Sequence, residues 1–264
     1  MNKLLSVIIP NYNKADYLEQ CVKSVASQSY YPIEIIVVDD CSTDNSLNIL
    51  EELREDIPNL VIIKQEYNAG VSCARNKGID AARGEYVTML DSDDYYINID
   101  KLKNEMDKMN SDIILAYSKI VRVDNNSHLL EQQFLNNSLY LQGHILSKTM
   151  LGVNNMTLPR DYVIKRKDIM ECGGYTVGCS LYEDLELLFK LLSKGKAVCT
   201  FQEGTAYRQN TNGLSSKPEK IKIRTRWRLC WKYRKLERYN SRILLTIGLV
   251  IMRLKQEIKL ILVR

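Results

Sequence analysis

Along the first ninety residues, short runs dominated by Ile, Val and Leu alternate with stretches of helical spacing. The runs cover residues 4–9, 33–38, 60–63 and 86–90. They read as buried parallel strands, since a strand covered on both faces is apolar throughout rather than at every second position. Between them, Leu18, Val22, Val25 and Ala26 fall at i, i+4, i+7 and i+8, and Leu47, Leu50 and Leu53 follow Ser42-Thr43-Asp44. Asp44 is the expected cap of this second helix, and a third spans about 71–82 and ends near Gly84. Strand–helix alternation of this kind predicts an α/β layered fold with a mostly parallel central sheet. Sheets of that type bind ligands beyond the carboxyl ends of their strands, so the residues just after each run are the candidates for chemistry.

Beyond about residue 110 the pattern loosens. It predicts a long strand over 113–123, a short helix over 142–151, a helix over 184–193 closed by Gly195, a strand over 197–201 and a polar stretch over 208–216. From Pro218 the chain is helical by composition, with an apolar run over 243–252. That run is about half the length a bilayer span requires, which favours an interfacial helix over a transmembrane one.

Charge sharpens the division. The net charge of +5 hides fifteen Lys/Arg against three Glu in residues 217–264, leaving the preceding 216 residues acidic. A basic tail on an acidic body points to separate partners. The seven cysteines show no C-x-x-C pair, which suits reduced thiols rather than a zinc cage or disulfide framework. The N-terminus lacks a signal-peptide pattern, because Pro10 and Asn11 interrupt its first apolar run. His128 and His144 are the only histidines, and no H-E-x-x-H, phosphate-binding G-x-x-x-x-G-K-[ST], dinucleotide G-x-G-x-x-G or nucleophile-elbow G-x-S-x-G motif is present.

Three groups of carboxylates sit where runs end or helices begin: Asp39-Asp40, Asp91-Ser92-Asp93-Asp94 and Glu183-Asp184. Asp91 and Asp93 project to one side of an extended backbone, as two hard oxygen ligands for Mg²⁺ or Mn²⁺ would, with a diphosphate supplying others. The same spacing also describes a solvated acidic turn. Asp39-Asp40 suits a turn as well as a hydrogen bond to a nucleobase stacked on Tyr12. Glu183-Asp184 suits the dipole of a helix N-terminus as well as a general base, and only one of two adjacent side chains can serve as that base.

Taken in order, Ser6-Val-Ile-Ile-Pro-Asn-Tyr-Asn13, Glu34-Ile-Ile-Val-Val-Asp-Asp-Cys-Ser-Thr-Asp44, Asn68-Ala-Gly-Val-Ser-Cys-Ala-Arg-Asn-Lys-Gly78 and Gly84-Glu-Tyr-Val-Thr-Met-Leu-Asp-Ser-Asp-Asp94 resemble family 2 glycosyltransferases. Gly173-Gly-Tyr175 and Tyr182-Glu-Asp-Leu-Glu-Leu187 resemble the family's acceptor-side segment, so the resemblance covers about residues 4–216. It implies a GT-A catalytic domain over 1–216, with a nucleotide-sugar half to about 110 and an acceptor half over 111–216, followed by the helical tail over 217–264. It further implies that Pro10 and Tyr12 line a base pocket, that Asp40 or Asp39 bonds uracil, and that Arg75 supports the nucleotide. Asp91 would reach the ribose or a Mn²⁺ or Mg²⁺ ion, Asp93 would bind that ion, and Asp94 would share one of these roles. Asp184 matches the family's base position in an inverting transfer from a nucleotide-sugar to a saccharide or lipid-linked hydroxyl, as in surface-polysaccharide synthesis.

One departure stands out. Many members carry a His near the end of the catalytic domain, where this chain reads Ala206-Tyr-Arg-Gln-Asn. Arg208 is the candidate to neutralise the diphosphate in its stead, with Glu183 on the same acceptor or diphosphate side. In the tail, Trp227, Trp231, Tyr233 and Tyr239 lie among Arg and Lys, which suits an anionic membrane surface. A cytoplasmic enzyme peripheral on the inner face of the membrane is the expectation. A helix packed on the catalytic domain and a homodimer contact are the alternatives for the tail. Nucleic-acid binding is disfavoured by the acidic body. A nucleotidyltransferase-like enzyme and an inactive scaffold are the rival readings of the whole.

Overall fold

In the computed structural model, residues 2–131, 140–141, 160–179, 181–209, 218–233, 246–247 and 250 are described. Strands β1 (Leu5–Asn11), β2 (Ile33–Asp39), β3 (Leu60–Lys64) and β4 (Tyr86–Met89) run parallel in the order β3-β2-β1-β4, joined by helices α1 (Ala15–Ala26), α2 (Ser46–Asp56) and α3 (Val71–Ala81). The sheet continues through β9 (Val163–Lys165), antiparallel to both β4 and β6 (Ile113–Val123). β6 pairs in parallel with β10 (Lys196–Arg208), and β5 (Tyr95–Tyr96) ends the row antiparallel to β10. Two short strands, β7 (Leu129–Glu131) and β8 (Tyr140–Leu141), pair with β6 and β10. Helices α4 (Lys101–Met106), α5 (Arg166–Glu171), α6 (Glu183–Leu192) and α7 (Glu219–Tyr233) complete the described elements. The long strands all point one way, so their carboxyl ends gather on one edge.

Packing follows the period-two alternation of strand side chains. Leu5, Val7 and Ile9 meet Leu18, Val22 and Val25 of α1 and Leu50 and Leu53 of α2. The intervening Ile8, with Ile36, Val38, Val87 and Met89, faces Ala74 and Ile79 of α3 and Leu187, Leu188 and Leu191 of α6. Each such fully buried aliphatic side chain contributes about 1.5–3 kcal/mol, an upper figure because denatured chains are partly collapsed. Gly78 lets α3 approach β1 closely: a Cβ there would lie 2.3 Å from Ile8 Cγ2.

Helix starts are set by cross-loop bonds. Asp44 Oδ1 accepts from the Ser46 amide at 3.0 Å and its Oδ2 from the Ala15 amide at 2.9 Å, so one carboxylate serves the first residues of both α2 and α1.

Two features depart from the expectations. The strand expected over 197–201 extends to Arg208, because it crosses register shifts at Cys199, Glu203 and Thr205 with Phe201 at φ 63°. A bulge of this kind lets a strand survive the polar Gln202-Glu203-Gly204 segment that reads as a loop. Two-to-six-residue elements such as β5, β9, α4 and α5 are too short to leave a periodic trace. The helix expected over 142–151, most of the polar stretch over 208–216 and most of the apolar run over 243–252 lie outside the described residues. Among the described residues no helix is long and apolar enough to cross a membrane.

Candidate active site

The site lies where β1, β2, β4 and β10 end. Backbone strain concentrates there: Asn13 (φ 52°) follows β1, Cys41 (φ 63°) follows β2, and Tyr182 (φ 66°) precedes α6. Left-handed conformations at non-glycine residues persist only where the surroundings impose them, and they cluster at functional sites.

Asp91, Asp93 and Asp94 follow β4 in a turn closed by the Asp94 amide donating to the Asp91 carbonyl at 2.9 Å. Each carboxylate has a different partner. Asp91 Oδ1 accepts from Arg75 Nη2 at 2.6 Å, Asp93 Oδ2 from Lys14 Nζ at 2.7 Å, and the buried Asp94 Oδ1 from the Arg208 amide at 2.8 Å. Burial pushes the Asp91 carboxyl up, but Arg75 and Arg160 outweigh it and hold it below the ordinary carboxylate range. Burial, and then the charges of Asp93 and Asp91, push Asp94 well above that range. Asp94 thus points inward and holds the turn, while Asp91 and Asp93 remain partly exposed.

Arg75 connects this turn to α6. Its Nη1 donates to Glu183 Oε1 at 2.8 Å, and its guanidinium lies over the Tyr175 ring at 5.0 Å. Glu183 is therefore buried in an ion pair, where burial and the adjacent Asp184 push its carboxyl up against the pull of Arg75. Asp184 stays partly exposed, with Oδ1 accepting from the Leu185 amide at 2.7 Å and Oδ2 from Arg160 Nε at 3.3 Å. Of the adjacent pair, Glu183 is buried on Arg75, and Asp184 stays partly exposed beside Arg160.

The Asp39-Asp40 pair is engaged differently. Asp39 accepts from Asn11 Nδ2 at 2.8 Å, Ser42 Oγ at 2.6 Å and the Ser42 amide at 2.9 Å, which makes it the closure of the turn after β2. Asp40 accepts from Gln65 Nε2 at 2.5 Å and from the Ala69 and Gly70 amides, each at 2.8 Å, and so fastens the loop that starts α3. Both side chains are buried. Pro10 is buried in β1, whereas Tyr12 stands at the rim, 45% exposed.

Arg208 departs from the role expected of it. Its five guanidinium N–H directions go to the Asp93, Asp124 and Asn125 carbonyls, Gln20 Oε1 and Ser127 Oγ, at 2.7–3.2 Å, between the rings of Tyr17 and Tyr95. It is 3% exposed, so it straps the acidic turn from behind and has no donor left for a diphosphate.

Lys14 and Arg160 carried no sequence signal, and Tyr175 and Tyr207 stood in the quoted segments without a role of their own. Arg160 lies with its guanidinium over Tyr207 at 4.5 Å and shares a pocket with Asp91 and Asp94. Its position is set by the next residue. Asp161 is buried, accepts from Thr205 Oγ1 at 2.6 Å and lies 3.0 Å from Lys101 Nζ, which in turn donates to Glu105 at 2.7 Å. Nothing in the spacing of Leu158-Pro-Arg-Asp-Tyr162 signals this arrangement.

Among the described residues no three His, Cys, Asp or Glu side chains form a ready metal cage. Asp91 and Asp93 are the two partly exposed carboxylates that share one turn.

Comparison with known proteins agrees with this architecture. The model of Glycosyl transferase family 2 matches residues 6–173. TuaG of Bacillus subtilis (strain 168), a glycosyltransferase named for teichuronic acid biosynthesis, is 30% identical over 241 residues, covering 90% of each chain. The Escherichia coli UDP-Glc:alpha-D-GlcNAc-diphosphoundecaprenol beta-1,3-glucosyltransferase WfaP is 29% identical, covering 84% of each. The crystal structure of residues 1–349 of S. aureus TarS in complex with UDP-GlcNAc superposes with a TM-score of 0.72 at 22% identity, covering 93% of this chain and 71% of that one. The fold is that of the GT-A glycosyltransferases, and the chain belongs to glycosyltransferase family 2.

Proposed function

We propose that this enzyme transfers a hexose or N-acetylhexosamine from a UDP-sugar to a hydroxyl of a saccharide or lipid-linked saccharide, with inversion, in surface-polysaccharide synthesis. The observation that carries the reading is the bridge through Arg75, which brings the Asp91–Asp94 turn beside the first turn of α6, where Asp184 stays partly exposed. WfaP, named for a UDP-Glc donor and a diphosphoundecaprenol acceptor, supports the donor and acceptor classes.

In this mechanism Asp184 takes the proton of the acceptor hydroxyl as its oxygen forms the bond to the anomeric carbon. The bond from that carbon to the diphosphate breaks on the opposite face, and its electron pair leaves with UDP. Glu183 and Arg75 fix the start of α6, and the Arg160 guanidinium orients the Asp184 carboxylate. Tyr12 offers a ring for the base, and Asp40 keeps the loop before α3 in place beside it.

The acidic turn suits a divalent cation, because Asp91 and Asp93 are partly exposed carboxylates on one turn, paired there with Arg75 and Lys14. Asp93 and Asp91 would hold Mn²⁺ or Mg²⁺, in the mode where one or two carboxylates and substrate phosphates share the ion. Such an ion supplies charge neutralisation to the departing diphosphate.

The tail reading follows the same logic. In α7, Trp227 stacks on Trp231 with ring centroids 5.4 Å apart among exposed Arg224 and Arg228. This is suited to an anionic leaflet carrying a lipid-linked acceptor, and the enzyme would work peripherally on the cytoplasmic face.

Calorimetric titration with UDP, GDP and CMP, each with and without Mn²⁺, tests the donor. UDP binding that strengthens with Mn²⁺ is expected, while binding of GDP or CMP alone overturns the uridine assignment. Salt-sensitive pelleting with phosphatidylglycerol vesicles, absent with phosphatidylcholine, tests the tail.

A further inference from the structure

Three arginines surround the acidic turn, and their guanidinium groups are used very differently. Arg208 spends all five donor directions on carbonyls and side chains behind the turn. Arg75 is buried between Asp91 and Glu183, with one terminal nitrogen on each. Arg160 makes a single side-chain hydrogen bond among the described residues, from Nε to Asp184 at 3.3 Å. Its side chain is 38% exposed, its plane is supported by Tyr207, and it lines the pocket that also holds Asp91 and Asp94. Among the described residues neither terminal nitrogen makes a hydrogen bond, and the residue stands beside Asp91 and Asp94 at that pocket.

We infer that Arg160 is the residue that binds the diphosphate of the nucleotide-sugar and of the departing nucleotide, while its Nε holds Asp184. The inference rests on the donor class proposed above. A planar guanidinium fork matches the paired oxygens of a phosphate better than an ammonium does. The Tyr207 ring and the anchored neighbour Asp161 fix its direction, so little side-chain freedom remains to be lost on binding. Placing one guanidinium between base and leaving group neutralises charge on the diphosphate side and keeps the Asp184 carboxylate aimed at the acceptor. It fills the position that Arg208, with its donors consumed, does not.

Calorimetry on the full chain with UDP and with inorganic pyrophosphate tests the assignment in wild type, Arg160→Gln and Arg160→Lys. Loss of charged hydrogen bonds should weaken both ligands roughly ten- to hundredfold in Arg160→Gln, with Arg160→Lys between the two. Thermal melting of each variant checks that the fold is retained, and Tyr207→Leu, which removes only the supporting ring, should weaken UDP by a smaller factor. If UDP binds wild type and Arg160→Gln within twofold of each other, the inference is overturned and the donor reading stands. If pyrophosphate binding depends on Arg160 but UDP adds nothing over it, the inference stands and the uridine donor does not.

Discussion

Arg75 donates to Glu183 at 2.8 Å across 108 positions of sequence, and with its other terminal nitrogen it holds Asp91. One buried guanidinium thereby sets the spacing between the turn expected to face the diphosphate and the helix that presents Asp184. Removing one partner of such a pair costs more than the pair itself contributes, because the remaining charge stays buried. Arg75→Met should therefore lower stability by about 3–5 kcal/mol. Urea unfolding checks this, and a loss under about 1 kcal/mol would show that Glu183 and Asp91 are served by solvent instead.

Asp184→Asn keeps the shape of the side chain and removes the proton acceptor. Turnover should fall by about 10²–10⁴, the range for general-base catalysis, while UDP affinity stays within a few-fold of wild type. Steady-state kinetics beside calorimetry separates the two. Equal losses in both would assign Asp184 to donor binding.

The buried Glu105 gives a pH prediction. Burial is the largest influence on its carboxyl, only partly offset by Lys101, and pushes it up to about 7. The folded state then holds a proton that the unfolded chain releases from its ordinary value of 4.5 upward. Glu105 thus contributes a stability that declines from about pH 4.5 and is lost as pH rises through about 7. Glu105→Gln, which mimics the protonated form, should gain on wild type between pH 5 and pH 7.5, by at most about 3 kcal/mol. Unfolding curves at the two pH values read the difference directly. A constant gap between the two proteins would contradict the raised value.

Helix α7 packs on the helix that carries the candidate base. Leu229 is buried against Phe189, Lys232 donates to Glu186 at 2.8 Å, and Tyr233 donates to the same carboxylate. Leu229→Ala should cost about 2–3 kcal/mol by leaving a cavity beside Phe189. Differential scanning calorimetry of this variant gives the answer. An unchanged melting temperature would mean that the basic helix is not held to the domain by this contact.

The close approach of α3 to β1 supplies a steric test. A methyl group at Gly78 would meet Ile8 Cγ2, within a core where both elements are fixed on other sides. Gly78→Ala should destabilise by about 1–3 kcal/mol, and the double variant with Ile8→Val should recover part of the loss.

Much of the architecture was legible from residue order alone. The runs over 4–9, 33–38 and 86–90 are buried strands in which apolar residues predominate on both faces, with Ser6, Glu34 and Thr88 buried among them. The helices beginning near Ala15, Ser46 and Val71 follow from apolar spacing and from Asp44. The acidic residues were found where a parallel sheet exposes its carboxyl edge, and the order of motifs pointed to the family. These are local properties, encoded within ten or so residues.

The partners of those acidic residues were decided only by the fold. Glu183 and Asp184 are adjacent in the chain, and nothing in their order says that one is buried on Arg75 while the other stays partly exposed beside Arg160. Arg208 looked available for an anion because it stands in the stretch where many family members carry a His. The bulged continuation of β10 carries it inside, where Gln20, 188 positions away, and the 124–127 turn consume its donors. Arg160 carried no motif, and its role depends on Asp161 being drawn to Thr205 and Lys101. A side chain's type, and the periodicity around it, are written in the sequence. Which donor meets which acceptor depends on strand register and helix docking between distant segments, and only the tertiary structure sets those.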